Sequence, residues 1–192
     1  MARIAPLNPA DTDAGDNAAE LQALIDFVGY RPNALFTMAR RPGLLNAVLA
    51  LVRSTVRGPG QLPETLRFLI AAEASRSARC RYTAAHVAHA AAHAGMALEK
   101  IIALPDRATS PLFSAAECAA LDLAAVGGLS PMGDTGPAFA AAAAHYDTAS
   151  LHEIVAVIAA FGWFNRWNCL MQSDLEAEPA AFAEQIPWLK MG

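Results

Sequence analysis

The chain has 192 residues and a formal net charge of −4; 55% of its residues are hydrophobic and 17% are charged. The apolar share excludes a disordered chain, the mild acidity leaves no electrostatic footprint for nucleic acid, and the length suits one domain with an N-terminal arm. About 45 residues are alanine, the best helix former and the smallest side chain that buries apolar surface, which predicts thin helices packed closely.

In chain order, residues 1–16 mix Pro, Asn, Asp and Gly without a period and read as a flexible arm; residues 17–192 form the domain. Leu21, Leu24, Ile25 and Val28 share one helical face, and Gly29 stops that helix. Pro32 marks a turn, and a short helix covers residues 34–39. Pro42 suits the first turn of the next helix, whose apolar face carries Leu44, Leu45, Val48, Leu51, Val52 and Val56. Gly58-Pro59-Gly60 ends it, and Pro63 opens a helix with Leu66, Leu69, Ile70 and Glu73. A break is expected around Arg79 and Cys80, followed by a helix over residues 82–93 that Gly95 stops.

Ser114-Ala115-Ala116-Glu117 and Ser150-Leu151-His152-Glu153 both match the S-x-x-E capping box, the second opening the longest helix. A Gly/Pro-rich loop and an alanine-rich helix lie between them, and Pro179 starts a last helix with Phe182 and Ile186 facing inward. No alternating strand pattern of useful length occurs, so the expected class is all-α. The longest uninterrupted apolar stretch, residues 154–164, falls short of the ~20 residues that a membrane span needs, so no membrane partner is expected. The N-terminus lacks the apolar core of a secretory leader, and three widely spaced cysteines indicate no disulfide framework; both point to a cytoplasmic protein with reduced thiols.

Chemistry concentrates between residues 73 and 93. His86, His89 and His93 recur at helical spacing and share a face. The first and last lie about 10 Å apart along the axis, so one straight helix cannot close them on a single ion, and no metal is expected. Cys80 falls near the start of the same helix, where free N–H groups and the dipole favour a thiolate. Imidazoles along that helix suit proton transfer.

Cys80-Arg81-Tyr82 with His86 resembles the redox segment of the carboxymuconolactone decarboxylase and alkylhydroperoxidase D-like family, whose peroxidase branch carries C-x-x-C and a histidine at a helix start. Pro32-Asn33-Ala34-Leu35-Phe36, Ala39-Arg40-Arg41-Pro42-Gly43-Leu44-Leu45 and Leu62-Pro63-Glu64 are similar to the N-terminal segments of its peroxidase-related members. Phe164-Asn165-Arg166-Trp167-Asn168, followed by Leu175-Glu176, is similar to their C-terminal helix. The likeness spans about residues 28–180. It implies an alkylhydroperoxidase D-like helical bundle of antiparallel hairpins with Cys80 at a junction, a homo-oligomer (trimer or hexamer), a small-molecule substrate, and no haem, flavin or nucleotide cofactor.

In active members of the family the second cysteine attacks a peroxide, the first resolves it to a disulfide, and a histidine and a glutamate relay protons. Here Thr83 stands in place of the second cysteine, and Phe68 stands where such members often carry the glutamate. Glu73 is the nearest acidic substitute. Cys118 and Cys169 read as ordinary core helix positions rather than as resolving thiols. The expected catalytic set is therefore Cys80, His86, Glu73 and Thr83, with Tyr82, His89 and Asn165 lining a substrate pocket. Three functions fit. One is thiol-dependent hydroperoxide reduction on Cys80 with an external thiol reductant. The others are a cysteine-independent acid–base enzyme of the decarboxylase type acting on a small organic acid or lactone, and a non-catalytic oligomeric binding protein.

Overall fold

The computed structural model describes residues 2–8 and 18–190, and among these there are eleven α-helices and no strand. In order they are Ala18–Val28 (α1), Asn33–Met38 (α2), Leu44–Val52 (α3), Glu64–Ser77 (α4), Arg81–His93 (α5), Leu98–Ile102 (α6), Ala115–Gly127 (α7), Gly136–Ala143 (α8), Thr148–Met171 (α9), Ala177–Ala183 (α10) and Pro187–Lys190 (α11). The chain is all-α, as the periodicity predicts.

Helix α4 is the hub. Every residue from Leu66 to Ser75 is buried, so the helix is covered all round, as a central helix must be. It packs against α5, α7 and α9. Small residues set the spacing. Ala84, Ala85, Ala88 and Ala91 of α5 and Ala119, Ala120 and Ala124 of α7 are all buried. Where α7 ends, Gly128 lies so close to α4 that a Cβ on it would sit 2.3 Å from the carbonyl oxygen of Ala74. The lack of a side chain at Gly128 therefore permits this close approach of α4 and the end of α7.

Helix ends follow local chemistry. Gly95, with φ +95°, stops the chain after α5, as predicted. Ser114 and Glu117 form the expected reciprocal capping box at α7. The second box is different. Asp147, not Ser150, caps α9, its carboxylate accepting from the Ser150 N–H at 2.8 Å. Glu153 is thereby free to cross to the loop before α4, where it accepts from the N–H groups of Gln61 and Leu62. The aspartate three residues upstream competes for the cap, and a far-off loop competes for the glutamate. Helices α6 and α11 are too short to show a period, yet they are tied together by the Trp188 indole, which donates to the Ile101 carbonyl at 3.0 Å.

Residues 2–8 of the predicted arm lie against the domain. Leu7 is buried, with its N–H on the Phe36 carbonyl, and joins Leu21, Phe36, Ala39 and Leu45 in a small second core. Arg3 donates its N–H to Met171 at the end of α9. The rest of the arm, residues 9–16, lies outside the described residues. Helix α9 is by length and composition long enough to cross a membrane, but 44% of its apolar window is buried inside the fold, where it covers α4, α7 and α5.

Candidate functional site

The site begins at the break between α4 and α5. Arg79 adopts a left-handed conformation (φ +54°), uncommon for a residue with a Cβ, and this turns the chain. The Cys80 N–H then reaches back to the Ser75 carbonyl at 3.0 Å, while the Cys80 carbonyl accepts from Ala84 at 3.0 Å and starts α5. Cys80 is thus the N-cap of a 13-residue helix, and it is buried.

Thr83, on the first turn of α5, brings its hydroxyl to 3.1 Å from the Cys80 sulfur. The Asn168 amide nitrogen donates to the Thr83 oxygen at 3.0 Å, which leaves that hydroxyl one hydrogen to give and a second lone pair to accept with. Asn168 is in turn oriented by the Ser173 hydroxyl, which donates to its Oδ1 at 2.9 Å. A threonine cannot attack or form a disulfide. Placed this way, its hydroxyl shares a hydrogen bond with the Cys80 sulfur.

Cys169 lies beside Asn168 on α9 and is exposed rather than a core residue. Its thiol is pushed up to about 11, first by partial burial and then by the charge and hydrogen bonding of Cys80. Cys169 is therefore not the core position that its helical spacing predicts. Cys118 is elsewhere, its thiol on the Arg107 carbonyl at 3.4 Å.

Cys80 opens onto a cavity of about 590 Å³ lined also by Ser75, Arg76, Arg79, Arg81, Trp188 and Leu189. Arg76 pairs with Glu73, and Arg81 donates to the Leu189 carbonyl. Arg79 is exposed and makes no side-chain hydrogen bond to a described residue. The cavity therefore combines a sulfur nucleophile, an indole wall and a cationic rim.

A second polar group sits farther along α5. Glu176, just before α10, accepts from His86 Nε2 at 2.7 Å, from the Tyr82 hydroxyl at 2.8 Å and from the Asn33 N–H. Burial alone would raise its carboxyl. The hydrogen bond and charge of His86, with the bonds from Asn33 and Tyr82, outweigh burial and hold it below its ordinary value. Both tyrosines are raised, by burial first and then by the Glu176 charge, so each keeps its proton. Tyr30 faces His86 Nδ1 at 3.0 Å. The His86 ring thus bridges the Tyr30 hydroxyl and the Glu176 carboxylate through its two nitrogens. Its cavity, about 240 Å³, is lined by Val28, Tyr30, Arg57, His86, His89, Ala90 and His93. His89 is lowered by burial and then by the charges of His93 and His86.

Sequence spacing thus brings Cys80 and Thr83 together, and Tyr82 and His86 together, but Cys80 lines the first cavity, His86 and His89 line the second, and the buried Thr83 and Tyr82 line neither. Glu73 joins neither. It is fully buried and held by Arg76 at 2.7 and 2.8 Å and by Arg107 at 3.1 Å. Asn165 is buried on α9 and lines neither cavity; Asn168, one turn on, makes the contact to Thr83. Glu176, the true partner of His86, is 90 residues from it in sequence. Its only sequence signal was the Leu175-Glu176 pair. Among the described residues no group of three or more His, Cys, Asp or Glu side chains is placed to hold a metal ion.

The profile of the carboxymuconolactone decarboxylase family matches residues 42–126. Among solved structures, the chain is similar to the debrominase Bmp8 in its apo form, with 30% identity over 95% of this chain and 97% of that one and a TM-score of 0.84. A Cys-to-Ala variant of the same debrominase, in complex with 2,3,4-tribromopyrrole, matches with 29% identity over 96% and 97% of the two chains and a TM-score of 0.85. An uncharacterized peroxidase-related protein from Silicibacter sp. TM1040 shares the fold, at 21% identity over 90% and 91% of the chains and a TM-score of 0.78. A comparison with curated proteins gives no match.

Proposed function

The chain belongs to the carboxymuconolactone decarboxylase family, and from that premise we propose that it is a thiol-dependent reductase of small electrophilic molecules, with Cys80 as the attacking sulfur and a hydroperoxide as substrate. The observation that carries this reading is the Thr83 hydroxyl, 3.1 Å from the Cys80 sulfur and bonded to Asn168 as well. It puts in place of a second thiol a hydroxyl able to donate a hydrogen bond to a Cys80 thiolate. In the reaction, the thiolate attacks the distal peroxide oxygen and the O–O bond breaks. The alkoxide leaves with a proton from water, and Cys80 becomes a sulfenic acid. Two equivalents of an external thiol return it to the thiol and release water.

A second substrate reading has its own support: a chain 30% identical over nearly its whole length is a debrominase, and its complex with a bromopyrrole was obtained with a cysteine exchanged for alanine. In that reaction the Cys80 thiolate takes the bromine from carbon, the C–Br bond breaks and the ring carbon takes a proton from water; an external thiol then displaces bromide from the S–Br bond, and a second one reduces the resulting disulfide. The indole of Trp188 beside Cys80 suits a flat ring.

The test is turnover of cumene hydroperoxide and of 2,3,4-tribromopyrrole with a small-thiol reductant, in wild type, Cys80→Ser and His86→Ala. Loss of turnover in Cys80→Ser, on either substrate, is the expected result. Full activity in Cys80→Ser together with loss in His86→Ala would move the function to acid–base chemistry at the His86–Glu176 pair.

A further inference from the structure

The cavity at Cys80 carries more positive charge than attack on a neutral peroxide calls for. Arg76, Arg79 and Arg81 line it, and no acidic residue is among those that do. The three guanidiniums are not equivalent. Arg76 is committed to Glu73, with bonds of 2.7 and 2.8 Å to its two oxygens. Arg81 is half committed: its Nε donates to the Leu189 carbonyl at 2.9 Å, and its Nη2 faces the exposed Glu184 carboxylate at 3.9 Å. Glu184 also faces Lys190 at 3.7 Å. Arg79 is exposed and makes no side-chain hydrogen bond to a described residue.

Two further observations point to a ligand. Ser75 lines the same cavity and is fully buried, yet its hydroxyl has no hydrogen-bond partner among the described residues. A buried hydroxyl left alone costs free energy, and a polar ligand atom removes that cost. Arg79, for its part, holds φ +54° just past the end of α4, where glycine is the usual residue. Glycine makes such a turn without strain. An arginine there keeps a guanidinium on the cavity wall, next in sequence to Cys80. The rest of the wall, Ala84, Pro105, Trp188 and Leu189, is apolar.

We propose that the cavity is built for an organic anion: the electrophile that Cys80 attacks carries a carboxylate, held by Arg79 and Arg81, with its apolar body on the Trp188 indole. Ser75 adds one hydrogen-bond donor. The inference rests on the reading of Cys80 as the attacking sulfur and names the class of its substrate, a hydroperoxide of an organic acid. The bonds made and broken at sulfur are those already given, and the carboxylate is unchanged by the reaction. A guanidinium presents parallel N–H donors that match a carboxylate, which an ammonium cannot. The grip is the same before and during attack, so it acts on KM rather than on kcat.

The experiment compares matched pairs that differ only in the anion. The first pair is 4-(2-hydroperoxypropan-2-yl)benzoate and cumene hydroperoxide, as substrates with one small-thiol reductant. The second is 4-isopropylbenzoate and 4-isopropylbenzamide, as unreactive ligands in calorimetry. Wild type is expected to favour the carboxylate about tenfold in kcat/KM, through KM, and in affinity, with the preference shrinking as salt is added. In Arg79→Gly, which suits the backbone at that position, both ratios fall toward unity, and Ser75→Ala lowers them less. Arg41→Gln, an exposed arginine outside the cavity, keeps the wild-type ratios. Equal binding of benzoate and benzamide in wild type overturns the inference, as does a preference that survives Arg79→Gly; neither result touches the role of Cys80. If neither hydroperoxide is turned over, the reductase reading fails, and calorimetry alone decides the anion site: a preference lost in Arg79→Gly supports it, and no preference overturns it.

Discussion

The two polar regions of α5 are built on opposite principles. At its start, the Cys80 thiol is bonded to the Thr83 hydroxyl, and no carboxylate bonds to either. Nearly two turns on, His86 is hydrogen-bonded to Tyr30 and to Glu176, which also accepts from Tyr82. The first opens to an arginine-rimmed cavity, the second to a smaller one flanked by histidines. The comparison teaches that a cysteine and a histidine six residues apart on one helix need not share a pocket. Six residues turn the helix by about 600°, which points the two side chains in different directions.

The sharpest way to break this division is activity. Cys80→Ser takes peroxide turnover to background, whereas His86→Ala, on the other cavity, leaves most of it. Equal losses, read from initial rates with the fold checked by circular dichroism, would show that the two regions act as one site.

Stability separates the carboxylates next. Glu73→Ala leaves the Arg107 and Arg76 guanidiniums beside a buried position and costs about 3–5 kcal/mol. Glu176→Ala leaves the His86, Tyr82 and Asn33 donors without their acceptor and costs about 2–3 kcal/mol. Urea unfolding of each variant reads both.

Thr83 supplies the next step down. Thr83→Val slows alkylation of Cys80 by iodoacetamide at neutral pH by about tenfold, the size of one charge-assisted hydrogen bond, and Thr83→Ser restores it. An unchanged rate in the valine variant would reduce Thr83 to a packing residue.

The smallest effect is in pH. The Glu176 carboxyl is held below its ordinary 4.5 in the folded chain, so near that pH the unfolded chain binds more protons. Its stabilising contribution is therefore complete above pH 4.5 and fades as pH falls through the lower folded value. The stability gap between wild type and Glu176→Gln, from urea unfolding at successive pH values, stays level down to about that pH and narrows below it.

Local readings survived where the physics is local. The α4–α5 break, the stop at Gly95, the capping box at Ser114 and the neighbouring Cys80 and Thr83 each depend on residues within a turn or two. Readings that needed a partner from elsewhere went to the nearest candidate of the right type. Glu73 is the acidic residue nearest Cys80, but the phase of α4 turns it toward Arg107 in the loop before α7. Asn165 and Asn168 differ by one turn of α9, and only contact with α5 selects the second. Glu153 completes a capping motif in sequence and serves a distant loop instead.

The amino-acid sequence by itself determined the helical class, the hairpin and the position of the reactive thiol at a helix start, because propensity, caps and breaks are set by neighbours along the chain. Only the tertiary structure decided which groups surround that thiol and that histidine. Asn168 reaches Thr83 and Glu176 reaches His86 through the way α9 and α10 pack on the alanine faces of α5, and that packing is fixed by burial summed over the whole core.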